Sequence, residues 1–182
     1  MRRSAPVLLA LTALAACTPA IVPEPGGRRS VPAPPPASTP APVAPVAQSQ
    51  DWQDWPPAQG TWTYVRDSRS TVARFGTGGN ALAWIRCDLA ARTIAVGRQG
   101  RGGSADGAAM MTIRTTFGAL QWPARGAAGT PPGTEAARGA SDPGLDQIAF
   151  SRGRFTVELP GMAPLVLPTW AEPVRVIEDC RG

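Results

Sequence analysis

Between Thr61 and Thr116 apolar and polar positions alternate with a period of two, in short bursts broken by turn residues. That pattern belongs to strands with one face against a core. The bursts are "TWTYVR" (61–66), "STVARF" (70–75), "LAWIRCD" (82–88), "TIAVGR" (93–98) and "MMTIRTT" (110–116). The last puts Met111, Ile113 and Thr115 on one face, and "GALQW" (118–122) is placed to pair back onto it. Gly76, Gly78, Gly79 and Asn80 form the turn before the third strand, and the short gap between the third and fourth suits a hairpin. From Pro123 to Ala140 the chain is rich in Gly, Pro, Ala and Thr, which predicts a long exposed loop.

The period then changes. Asp142 is a good N-cap and Pro143 suits the first helical position, after which Leu145, Ile148 and Ala149 share a helical face; Gly153 is the expected stop. "RFTVEL" (154–159) returns to alternation with Phe155, Val157 and Leu159 inward. Thr169 and Glu172 have capping-box spacing, and Trp170, Val174 and Ile177 recur on one face up to Cys180, so Trp170–Cys180 reads as a helix. A strand with Val174, Val176 and Cys180 inward is the alternative. Trp62, Trp84 and Trp170 are expected to pack in the core. The fold class is therefore α+β: a small antiparallel sheet domain with two short helices, with a β-sandwich as the other architecture considered.

The first fifty residues follow neither period. Arg2 and Arg3 precede an apolar run from Ala5 to Ala16, too short for a spanning helix of about 20 residues but suited to a secretory leader. The run ends in Leu14-Ala15-Ala16-Cys17, which resembles the bacterial lipobox. The resemblance implies cleavage before Cys17, diacylation of its thiol and acylation of the new amino terminus. Two or three chains give stable anchoring, because each buried methylene contributes about 0.8 kcal/mol. Thr18, rather than Asp, follows the cysteine, which by the same resemblance favours the outer membrane. A plain leader cut after Ala16 or Ala20 is the alternative. Thr18–Gln50 holds ten prolines and no aromatic residue, the composition of a disordered tether biased to extended polyproline II. Fully extended it would reach roughly 100 Å at about 3.1 Å per residue. The expected organisation is a lipoprotein leader (1–16), a lipidated cysteine and tether (17–50), and one globular domain (51–182).

Composition then closes off chemistries. The chain has no His, and all 18 of its basic side chains are Arg. Without His there is no Ser-His or Cys-His nucleophile and no His metal ligand. Without Lys there is no Schiff base and no phosphate-loop lysine, so "FGTGGN" reads as turn glycines. "GRQGRGGSADG" reads as a hairpin loop. Setting aside Arg2, Arg3, Arg28, Arg29 and Glu24 leaves fourteen Arg against twelve acidic residues in the domain, no footprint for nucleic acid. With Cys17 taken by lipid, Cys87 and Cys180 remain, and in an oxidising compartment they most simply form one disulfide. No cofactor and no metal is expected. The carboxylate pairs Asp142 with Asp146 and Glu178 with Asp179 are the candidates for a carboxylate-dependent hydrolase.

"LAWIRCD", "LDQIAFSRGRFTVEL" and "VRVIEDC" also resemble, in order, small secreted proteins of Gram-negative envelopes, including a type VI secretion-associated group. No catalytic residue carries over from that resemblance. The expected function is thus an envelope-anchored lipoprotein acting as a binding or structural module. Its partners would be the membrane, through the anchor, and an envelope protein or cell-wall component. Arg152, Arg154 and the N-terminal tryptophans are its candidate contact residues. A periplasmic inhibitor of an acidic-cleft hydrolase is one version. Pairing of Arg152 and Arg154 with Asp146 or Glu158 is the structural alternative.

Overall fold

A computed structural model describes residues 51–103, 108–128 and 132–182. The expected leader, Cys17 and tether lie outside the described residues. After a 3-10 turn at Trp52–Asp54 come β1 (Thr61–Arg66), β2 (Ser70–Thr77), β3 (Asn80–Asp88), β4 (Thr93–Gln99), β5 (Ala109–Thr115), β6 (Gly118–Ala127), β7 (Gly133–Gly139), α1 (Pro143–Ala149), β8 (Arg154–Val157), β9 (Leu165–Pro168) and α2 (Ala171–Arg181). The first seven strands form one antiparallel sheet in the order β1-β2-β3-β4-β7-β6-β5, and β8 and β9 form a second, two-stranded one. The α+β class expected from the pattern is the fold.

The hairpin β8–β9 lies between the two ends of the large sheet. On one side Thr112 and Glu158 exchange both backbone hydrogen bonds, at 3.0 and 2.8 Å, joining β5 to the end of β8. On the other, Ala58 N–H donates to the Val166 carbonyl at 2.9 Å and the Trp62 indole donates to the Pro168 carbonyl at 2.9 Å. The inward face carries the alternating residues: Trp62, Ala73 and Phe75, Ile85 and Cys87, Ile94 and Val96, Met111 and Ile113, Trp122, Phe155 and Val157. Trp62 meets Phe75 edge to face at 5.3 Å. Leu145 and Ile148 of α1 and Val176 and Ile177 of α2 close the same core.

One charge is buried among them. Arg98 is only 7% exposed, and its Nη1 donates to the Val157 and Ala163 carbonyls at 2.8 and 2.9 Å. It thereby ties β4 to both ends of the β8–β9 turn. Burial lowers its pKa, against the opposing charge of Glu158; an arginine stays protonated under such a shift.

The stretch expected as an exposed loop is instead sheet. β6 runs on to Ala127, and Gly133–Gly139 is β7, inserted between β4 and β6. Its small residues look like loop, yet Thr134 and Ala136 are fully buried and the central position demands little volume. Pro123 sits where β6 passes from pairing with β5 to pairing with β7, so its missing N–H breaks no ladder there.

The α1 helix starts as expected, with the Asp142 carboxylate accepting from Gly144 N–H at 2.8 Å. It stops at Ala149 with Phe150 as cap, before the expected Gly153, which has φ +75° and shapes the next turn. The last segment is helix, not strand, with Val176, Ile177 and Cys180 buried. The capping-box reading fails: Trp170 occupies the N-cap with no side-chain cap bond and is exposed. Because it precedes the first helical residue, the 3.6-residue period does not place it on the buried face. The Cys180 and Cys87 sulfurs are bonded, joining α2 to β3 across a separation of 93 residues.

Candidate functional site

Of the three tryptophans expected in the core, only Trp62 is there. Trp84 faces away from the helices and Trp170 projects from the start of α2. Among the described residues the exposed large apolar side chains are Phe150 (66%), Phe117 (60%), Val65 (50%), Met110 (46%) and Trp170 (44%). Val65 and Met110 stand on strands, whereas the three aromatics lie on connections that meet at one end of the domain.

That end is fastened by hydrogen bonds. Phe117 sits in the β5–β6 turn, held by its own N–H donating to Thr115 Oγ1 at 3.1 Å. Thr116 N–H donates to the buried Ser151 hydroxyl at 3.1 Å, and Arg152 N–H donates to Thr116 Oγ1 at 3.1 Å. The Ser151 hydroxyl in turn donates to the Arg154 carbonyl at 2.5 Å. Thr169 N–H donates to the Gly153 carbonyl at 3.1 Å, bringing in the segment that carries Trp170. The aromatic side chains thus stand on a braced backbone rather than on free loops, and little conformational entropy is lost when such side chains meet a partner.

Two hollows adjoin it. One, of about 810 Å³, runs between β1 and α2 and is lined by Tyr64, Trp170, Glu172, Arg175, Glu178 and Asp179. Its floor is internally paired: Tyr64 donates its hydroxyl proton to Asp179 at 2.5 Å, Arg66 bonds the other carboxylate oxygen at 2.9 Å, and the Arg175 guanidinium lies 4.3 Å over the Tyr64 ring. The other, of about 490 Å³, is lined by Gln53, Asp54, Thr116, Arg152 and Arg154.

The two arginines singled out from sequence therefore share a hollow but do different things. Arg154 Nη1 donates to the Gln53 and Trp55 carbonyls at 2.8 and 3.3 Å, clamping the N-terminal 3-10 turn to β8. Arg152 is exposed. The acidic partners considered for them are engaged elsewhere: Glu158 pairs with Arg114 at 2.8 Å and Asp146 with Arg181 at 2.7 Å. Asp142 caps α1 and pairs with Arg138 at 2.9 Å. Asp142, Asp146 and Asp179 each hold a structural partner, so neither carboxylate pair is two unencumbered acids facing one another.

Sequence reasoning missed Phe117 and Phe150. Phe117 keeps the inward parity of Met111, Ile113 and Thr115, but the chain turns before parity can bury it. Phe150 follows Ala149 by one residue and so leaves the Leu145–Ile148–Ala149 stripe by a hundred degrees, a signal that was present in the spacing.

No protein-family model matches the chain, and no curated protein and no solved structure matches it either.

Proposed function

We propose that this chain is an envelope lipoprotein, cut before Cys17 and acylated there, whose domain is a binding module for another envelope protein. The docking surface is the end bearing Phe117, Phe150 and Trp170. The observation that carries the reading is the exposure of these three aromatics on hydrogen-bonded connections. Aromatic side chains grouped on a surface mark interaction sites, and Trp and Arg are favoured at their energetic centres. Arg152, on the same end, belongs to this surface; Arg154 supports it from below. The order of Arg2-Arg3, apolar run and Leu14-Ala15-Ala16-Cys17 supports the anchor, with the outer membrane as its site.

Two measurements test the parts separately. Cys17→Ser should abolish acyl labelling and membrane sedimentation; retained labelling refutes the anchor. Phe150→Ser with Trp170→Ser should leave folding intact and remove the partner that the wild type retains after crosslinking in envelopes. An unchanged crosslinked partner refutes the docking surface.

A further inference from the structure

The sheet face turned away from the helices carries a second arrangement, remote in design from the aromatic end. Strand register aligns five residues across it: Arg74 opposes Trp84, Trp84 opposes Gly97, Gly97 opposes Glu135, and Glu135 opposes Arg125. The row crosses β2, β3, β4, β7 and β6, about 19 Å at the usual strand spacing. Arg74 and Arg125, at its ends, are exposed.

The Trp84 indole lies flat over the sheet. A Cβ at Gly97 would stand 2.3 Å from its Cε2, and one at Gly133 would stand 2.2 Å from its Cη2. Both glycines are thus required beneath the ring, on two different strands. The indole edge is polar as well. Its Nε1–H donates to Glu135 at 3.2 Å, and Arg86 bonds the same carboxylate at 3.2 Å. Arg86 and Glu135 remain 43% and 24% exposed at the side chain.

A flat ring with its underside filled and a carboxylate and guanidinium at its edge is chemically suited to a pyranose. The axial C–H face of a sugar stacks on an indole, while its hydroxyls take hydrogen bonds from the guanidinium and give them to the carboxylate. Charge narrows the choice. Arg74, Arg86 and Arg125 against Glu135 leave the row net positive, so the ligand carries negative charge. Guanidinium groups match planar carboxylates bidentately, and the central Glu135 opposes a dianionic phosphate more than a monoanionic carboxylate. We infer that this row is a binding site for a carboxylate-bearing pyranose glycan, with Trp84 as the stacking platform and Arg74 and Arg125 as the charge contacts.

The test uses the full chain labelled with ¹⁵N, following the Trp84 indole N–H resonance, assigned by its loss in Trp84→Phe. The probe is the disaccharide of N-acetylglucosamine and N-acetylmuramic acid, whose lactyl group supplies one carboxylate. Its neutral counterpart is N,N′-diacetylchitobiose. The expected result is a saturable shift of the Trp84 signal by the acidic disaccharide, with weaker binding of the neutral one. Arg74→Ser with Arg125→Ser, both surface changes that spare the fold, should weaken the acidic disaccharide about twofold, as one exposed charge contact of ordinary strength gives, because its single carboxylate meets one end of the row at a time. Absence of a saturable shift overturns the site. So does equal binding of both disaccharides in wild type and double variant. An equal Trp84 shift with tetra-aspartate would show bare charge attraction and overturn the glycan assignment.

Discussion

Replacing Cys87 and Cys180 together by Ala tests how the domain is held closed. The bond links the C-terminal end of β3 to the last turn of α2 across 93 residues. Chain-entropy arithmetic for a loop of that length gives about 4.6 kcal/mol of stabilisation at 25 °C, all of it through the unfolded chain. The native state loses less. Val176 and Ile177 stay packed, and Asp179 with Tyr64 and Arg66, and Arg181 with Asp146, still hold α2 in place. The expected result is a variant with native near-ultraviolet circular dichroism at 25 °C and a melting temperature lower by roughly 15–20 °C, from the size scaling of unfolding entropy. Calorimetry on oxidised wild type and the double variant makes the measurement, and mass spectrometry should show the wild type lacking two hydrogens. A shift under about 3 °C would refute the entropic argument. Free thiols in the folded, oxidised protein would remove its premise.

Arg154→Ala should lower the melting temperature and expose the N-terminal turn to protease, because the Gln53 and Trp55 carbonyls exchange their donor for water, at roughly 0.5–1.5 kcal/mol; Arg152→Ala should shift stability by less than about 0.5 kcal/mol. Equal effects of the two changes would contradict the division of labour between them. Asp67 accepts from the backbone N–H groups of Arg69 and Ser70, both at 2.7 Å, and these bonds hold its pKa below the usual carboxylate value. Its contribution is therefore present above the unfolded value near 4 and is lost as pH falls through the lower folded value. Asp67→Asn should melt earlier than wild type at pH 7, and the gap should close on acidification, as melting curves at pH 7 and pH 3 would show.

The alternating strands β1 to β5 were legible because each has one face on the core and one toward solvent or a glycine floor. β7 was not, because the side chains packed around it leave room only for small residues. Gly133 is excluded from being anything larger by Trp84, and Ala136 lies within the packed core. Small residues there carry the composition of a loop and the geometry of a strand. The two helices were legible from period, but Trp170 was misplaced by one position, enough to move it from core to surface. Within the candidate site, Arg152 and Arg154 could be named because charges beside a glycine stand out. Their separation into contact and clamp depends on where residues a hundred positions earlier return. The Trp84 row was invisible for the same reason, since it is a product of register among five strands.

The β8–β9 hairpin has a consequence for life at close quarters. A seven-stranded sheet ordinarily ends in two ribbons of unpaired amides and carbonyls, each a template for another copy of itself. Here Glu158 occupies part of the free side of β5, while Pro168 and Val166 engage Trp62 and the approach to β1. With the Thr112 position of β5 occupied from within by Glu158, that border offers a neighbouring copy less to zip onto.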